Sequence, residues 1–214
     1  MLRRVLLTLL VVASTGLLWH PDATAAQSPI GFVGDSITHS YKLPERTPEL
    51  VGQLLGVPVV DRGIGGTTTR DWLPGGTLLA PAIAAFRAAH VRVVQVALGT
   101  NDAIAGLAPT HYRDQLARIA ATLSTSGFTV VLADPPSMML GGMGGYVTTR
   151  GIALLQAYRP MLDGIANGQS IIVGETGAWE YFHAHPDQLW DGVHPGPIGS
   201  FALAELWVVG LAHR

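Results

Sequence analysis

The chain has no cysteine, which excludes disulfides, a thiolate nucleophile and thiolate ligands for a metal. Charge is scarce as well. Acidic and basic residues make up 13% of the 214 positions, and the formal net charge is -2. A balance this close to neutral leaves no electrostatic footprint for nucleic acid or an anionic membrane surface. Lysine is nearly missing, Lys42 being the single example, so arginine carries almost all the positive charge. Internal repeats and low-complexity linkers are absent too, and no apolar run reaches the roughly 20 residues of a spanning helix. What is abundant is apolar: 48% hydrophobic residues, enough for one domain with a substantial core.

The first residues read as an export leader. Arg3-Arg4 is a short basic region, Val5 to Leu18 is apolar, and Ala23-Thr24-Ala25 suits a small-residue cleavage site. Residues 1–26 are therefore expected to be a signal peptide, with an uncleaved anchor as the alternative, and 27–214 a single domain. The expected location is outside the cell or in its envelope.

Strand and helix patterns alternate through the rest. Ile30 to Gly34 is a short apolar run ending in glycine, a buried parallel strand that delivers Asp35 and Ser36 to its carboxyl end. Thr47-Pro48-Glu49 announces a helix with Thr47 as N-cap, and Gly56 suits its end. Val57 to Val60 reads as a second strand, at an edge because Pro58 has no N–H to give. Leu78–Ala89 is an expected helix and Val91–Leu98 a strand. Pro109–Thr125 is helical, with Tyr112, Leu116, Ile119 and Leu123 on one side. Thr129–Ala133 is a strand, Thr148–Ala166 a helix and Ser170–Val173 the last strand. A long irregular stretch then leads to a closing helix, Ile198–Ala212. This order predicts an α/β protein with a mostly parallel sheet covered on both faces.

Four strand-end or turn motifs carry chemistry. Ser36 can act as a nucleophile if a neighbouring base takes its proton. Asp191 and His194, in Trp190-Asp191-Gly192-Val193-His194-Pro195, are spaced so that the carboxylate can reach Nδ1 and leave Nε2 to accept that proton. Gly65-Gly66 lets a backbone N–H approach a ligand, and Asn101 offers an amide at a strand tip. With the Ser36 N–H these make three donors for a developing oxyanion. Each motif alone also reads as a turn, a helix cap or a surface pair. His183, His185, Asp191 and His194 could gather a metal, but their spacing matches no zinc signature, and His183 and His185 are expected on an exposed loop. No metal and no cofactor are expected.

Taken together, the motifs resemble the SGNH (GDSL) hydrolase family over the whole mature chain. Gly34-Asp35-Ser36-Ile37 looks like its nucleophile block, and Gly66 and Asn101 match its oxyanion glycine and asparagine. Asp191-Gly192-Val193-His194-Pro195 matches its last block. The resemblance implies a three-layer α/β/α sandwich of flavodoxin-like type. It implies Ser36 as nucleophile, His194 as general base then acid, Asp191 as its orienter, and Ser36, Gly66 and Asn101 as the oxyanion hole. Asp61 and Gly65 depart from the asparagine and serine frequent in the second block, which bears on loop geometry. The activity implied is hydrolysis of a small-molecule, carbohydrate or lipid ester, short acyl or O-acetyl groups favoured, by a monomer. A non-catalytic carbohydrate- or cell-wall-binding module on the same fold, or an acyltransferase, is the alternative. The loop containing Met138, Met139 and Met143 reads either as an acyl pocket or as a poorly ordered segment.

Overall fold

Five short apolar runs of the sequence line up as one fully parallel sheet in the order β2-β1-β3-β4-β5. The computed structural model describes residues 28–40, 43 and 45–212. The leader expected over 1–26 lies outside the described residues. The strands are β1 (Ile30–Gly34), β2 (Val59–Asp61), β3 (Val93–Ala97), β4 (Thr129–Ala133) and β5 (Ile171–Glu175). The helices are α1 (Ser36–His39), α2 (Thr47–Leu55), α3 (Leu79–Ala88), α4 (Thr100–Ile104), α5 (Pro109–Thr125), α6 (Gly142–Gly145), α7 (Thr149–Tyr158), α8 (Ala178–Ala184) and α9 (Pro197–Ala212). Pairing is in register from Ile30 opposite Val93 to Gly34 opposite Ala97, so β1 and β3 end side by side.

Alternation along the strands feeds two cores. Val33, Val94, Val96, Val130 and Leu132 face α3, α5 and α7, where Phe86, Tyr112, Leu123 and Tyr158 are buried. Ile30, Phe32, Val131 and Ala133 face α2, α8 and α9, with Trp207 stacked on Phe32 at 5.8 Å. Burial on both faces is why the strands read as continuous apolar runs. This is the three-layer α/β/α sandwich. β2 lies at an edge, as Pro58 requires. The order of connections reverses between β1 and β3, the switch point where such sheets place ligands.

Several boundaries differ from the sequence pattern, each for a local reason. Arg46, not Thr47, precedes the first turn of α2, because the Thr47 hydroxyl is buried against the Ser40 hydroxyl at 2.9 Å. Glu49 still accepts the Arg46 N–H at 3.0 Å. The helix expected to run to Ala166 gives way after Tyr158 to a 3-10 turn over Arg159–Met161, where Pro160 cannot donate to the helix ladder. The stretch expected to be irregular before Pro195 contains α8, held by burial of Ala178, Trp179 and Phe182. No helix among the described residues is long and apolar enough to cross a membrane.

Candidate active site

Gly34 ends β1 under a tight constraint. A Cβ there would collide with the Thr38 hydroxyl and stand 2.8 Å from the Ala97 carbonyl oxygen, so only glycine lets α1 fold back onto the strand end. Asp35 caps α1, its Oδ1 accepting the Ile37 N–H at 2.9 Å, and its carbonyl accepts from His39 at 2.9 Å. Burial pushes the Asp35 carboxyl up to about 7, with the Ile37 N–H opposing and the Asp102 charge adding to the rise. Asp35 is thus a structural acid beneath the serine. Ser36 opens α1, and among the described residues its backbone N–H has no protein acceptor.

The residues that the sequence placed far apart meet here. Ser36 Oγ lies 2.8 Å from His194 Nε2, across 158 positions of sequence, and His194 Nδ1 lies 2.8 Å from Asp191 Oδ2. The other Asp191 oxygen accepts the N–H groups of Val193 at 3.0 Å and His194 at 2.8 Å. Burial tends to raise the Asp191 carboxyl, but the His194 backbone N–H, the imidazole and the Val193 N–H outweigh it and hold it below the usual carboxylate range. An ionised Asp191 keeps the proton on Nδ1, which leaves Nε2 to accept from the serine hydroxyl. The half-exposed Trp190 ring stacks on the imidazole with centroids 5.8 Å apart.

A hairpin-like turn fixes Asp191 and His194. The Trp190 N–H donates to the His194 carbonyl at 3.0 Å, and Leu189 bridges Pro195 in antiparallel fashion. The methionine loop supports this turn from outside. The N–H groups of Met139 and Met143 donate to the carbonyls of Gly192 and Asp191 at 2.8 and 2.7 Å. Gly192 has φ +81, and a Cβ on it would stand 2.9 Å from the Gly142 Cα. Met138 is buried and Met143 packs on the core. The loop therefore buttresses this turn and is not the poorly ordered segment that its composition allowed.

The second and third blocks come together beside Ser36. A Cβ on Gly65 would stand 3.7 Å from the Ser36 Cβ. The Ile64 N–H donates to the Gly34 carbonyl at 3.0 Å and the Arg62 N–H to Phe32 at 2.9 Å, strapping this loop over the end of β1. Gly66 has φ +79, and among the described residues its N–H has no protein acceptor. Asn101 Nδ2 donates to the Thr67 carbonyl at 2.9 Å, which ties the two loops and leaves its second N–H for another acceptor. Asp61 keeps its loop in shape by accepting the Gly63 N–H at 2.7 Å and the Arg46 guanidinium at 3.1 Å. Its departure from the frequent asparagine is thus matched by a nearby cation.

Several supporting residues were not read from the sequence. Asp102 is buried and accepts the Thr69 N–H at 3.1 Å and the Thr69 hydroxyl at 2.6 Å, and that hydroxyl also lies 2.7 Å from Gln115 Oε1. Burial raises the Asp102 carboxyl, against the pull of the Thr69 donors. The buried Trp72 donates to Thr67 Oγ1 at 3.0 Å, so it holds the loop. Both Asp134 oxygens share the Arg159 Nε–H, at 2.9 and 3.1 Å, and burial still pushes the carboxyl up to about 7. The signal for Asp102 was its place after Asn101; Gln115 and Trp72 carried none. His183 lies on α8, stacked near Trp179, and not on the expected loop, whereas His185 is exposed in the connection just after the helix, its ring near Tyr181.

Such an arrangement can deprotonate a hydroxyl and hold an oxyanion, as acyl transfer requires. Residues 32–200 match the model of the GDSL-like lipase/acylhydrolase family. Among solved structures, the lipase/acylhydrolase from Enterococcus faecalis is 22% identical with a TM-score of 0.63, over 84% of this chain and 93% of that one. A catalytic mutant of Axe2, an acetylxylan esterase from Geobacillus stearothermophilus, is 20% identical with a TM-score of 0.66, over 86% and 93%. TesA is 20% identical with a TM-score of 0.57, over 83% and 94%. At these identities the structural likeness establishes the fold. No curated protein matches the chain.

Proposed function

We propose, for a chain that belongs to the GDSL-like lipase/acylhydrolase family and is a carboxylic ester hydrolase, that it is exported and cleaves short-acyl esters through an acyl-enzyme on Ser36. The observation that carries this reading is the pair of 2.8 Å contacts running from Ser36 Oγ through the His194 ring to Asp191. His194 Nε2 takes the serine proton as Oγ attacks the ester carbonyl, and Asp191 steadies the imidazolium. The N–H groups of Ser36 and Gly66 and the free amide N–H of Asn101 receive the oxyanion. His194 then protonates the departing alcohol, and a water activated by the same ring releases the acid.

Preference for short acyl groups is supported by what surrounds the serine. Gly65 and Gly66 are exposed and offer no apolar wall. The methionine loop is committed to the Asp191–His194 turn and is not free to close as a lid. Each buried CH₂ of a long chain would need apolar surface worth about 0.8 kcal/mol. Export rests on the basic, apolar and small-residue pattern of residues 1–26. A fluorophosphonate that modifies Ser36 and stops turnover of nitrophenyl acetate tests the mechanism. Turnover that survives complete modification would refute it. N-terminal sequencing of protein recovered outside the producing cells should begin near Ala26 or Gln27.

A further inference from the structure

Next to the Gly65–Thr69 loop lies a groove of about 500 Å³, lined by Thr68, Arg70, Gly106, Leu107, His111 and Gln115. It starts one residue away from the candidate oxyanion donors. Thr68 and Asp102 line it, and their neighbours Thr67 and Asn101 are joined at 2.9 Å. Its volume is that of a pocket for a small ligand.

The charges around it are unequal in their commitments. Asp102 is spent on the Thr69 N–H and hydroxyl. Asp71 accepts the Thr68 N–H at 2.8 Å and the Thr68 hydroxyl at 2.7 Å. The cations are not so engaged. Arg70 stands on the rim, and the Arg150 guanidinium lies over Gly106, 4.0 Å from where a Cβ would be. Among the described residues neither has a carboxylate within ion-pair distance, whereas Arg46, Arg113 and Arg159 each have one. Arg70, the His111 ring and a glutamine amide therefore line a cavity whose nearby acids are already bound to neutral donors, and the exposed Arg150 guanidinium stands beside its Gly106 wall. Guanidinium groups recognise planar or tetrahedral oxyanions through paired N–H donors.

We infer that this groove receives an anionic group, a carboxylate or a phosphate, carried on the alcohol part of the ester, and that Arg70 and Arg150 read its charge. This rests on the hydrolase reading, and the placement on the alcohol part is itself inferred, for a groove that opens beside the loops that would hold the oxyanion. His111 and Gln115 would supply further donors to the same group.

The test compares phenyl acetate, para-carboxyphenyl acetate and para-acetoxyphenyl phosphate with the wild-type enzyme, Arg70→Ala and Arg150→Ala. Differences in leaving-group reactivity cancel when each variant is divided by wild type on the same ester. kcat/KM for the neutral ester should be unchanged, and for an anionic ester it should fall about fivefold in each variant, an effect that high salt erodes. A fall confined to the carboxylate or to the phosphate ester identifies which group is read. Equal effects on neutral and anionic esters would overturn the inference. A second arm needs no turnover. Calorimetry on Ser36→Ala should detect para-hydroxybenzoate or para-hydroxyphenyl phosphate, with binding weakened about fivefold when Arg70→Ala is added. Binding indifferent to both arginines also overturns it, and a protein that binds these anions yet hydrolyses no ester would refute the hydrolase reading alone.

Discussion

The Thr69 hydroxyl donates to Asp102 Oδ1 at 2.6 Å, joining the loop after β2 to the helix after β3. The Thr69 N–H points at the same carboxylate, so one buried acid holds Gly66 and Asn101 at a fixed spacing. Asp102→Ala leaves the buried Thr69 N–H without an acceptor, while the Thr69 hydroxyl can still turn to Gln115 Oε1, and is expected to lower stability by about 1–3 kcal/mol. It should also lower kcat more than it raises KM, because small displacements of oxyanion donors cost rate. Urea unfolding and ester kinetics on the same preparation check both. An unchanged kcat in a destabilised protein would show that the link is structural only.

For the reaction itself, Ser36→Ala should abolish ester turnover while the thermal transition stays close to that of wild type. Asn101→Ala should lower kcat about 10²-fold with KM little changed, as expected for a donor used mainly in the transition state. Steady-state kinetics with an acetyl ester decide it. A variant lacking Asn101 that keeps most of its kcat would remove this residue from the oxyanion site.

Gly192→Ala is expected to be more harmful than a methyl group suggests. The backbone there has φ +81, and the added carbon would press on the Gly142 Cα. A loss of about 1–3 kcal/mol should appear in unfolding, together with a lower kcat as the Asp191–His194 turn shifts. Wild-type stability and rate in Gly192→Ala would mean that the two loops move apart freely.

The pH dependence of stability has a sign that can be worked out from Asp35. Its folded carboxyl is raised from 3.8 to about 7, so between those values the folded state holds a proton that the unfolded state has lost. Stability from this group therefore falls as pH rises through that window. Asp134 is raised in the same way and acts in the same direction. Asp191, held low, contributes stability that is present above the unfolded carboxylate pKa and is lost as pH falls through its folded value. Asp35→Asn keeps an acceptor for the Ile37 N–H but cannot titrate. Its melting temperature should decline less than that of wild type between pH 4 and 7, and parallel curves would refute the assignment.

Acyl length offers a further check. kcat/KM should fall from acetyl and butyryl to long nitrophenyl esters, since the methionine loop is tied down by its hydrogen bonds to Asp191 and Gly192. A rate that climbs through dodecanoyl would require that loop to release the turn and act as a lid.

The sheet and its order of helices were legible because apolar runs ending in glycine and alternating with amphipathic segments leave few topologies. Ser36, Gly66, Asn101, Asp191 and His194 were legible because each sits at a strand end or turn in a recognisable block. Local pattern could not reveal the roles of Thr69, Gln115 and Trp72, whose partners lie on other elements. Gln115 is one polar residue of a helix, and its meeting with Thr69 depends on how α5 crosses the sheet. The order of the methionine loop was hidden for a related reason. Composition reports how costly a segment is to order, not which distant carbonyls reward its N–H groups for staying in place. α8 was missed because its short pattern gains most of its stability from Trp179 and Phe182 packing into cores built by other segments.

Ser36 and His194 stand 158 positions apart, one near the start of the folded chain and the other just before its last helix. A ribosome delivers the serine early and the histidine almost last. Under the proposed mechanism the hydroxyl has no base until the segment carrying His194 has emerged and docked, so a chain truncated before it should be chemically silent. By the same mechanism, a fragment ending before Asp191 could be labelled, recovered and refolded and should cleave no ester.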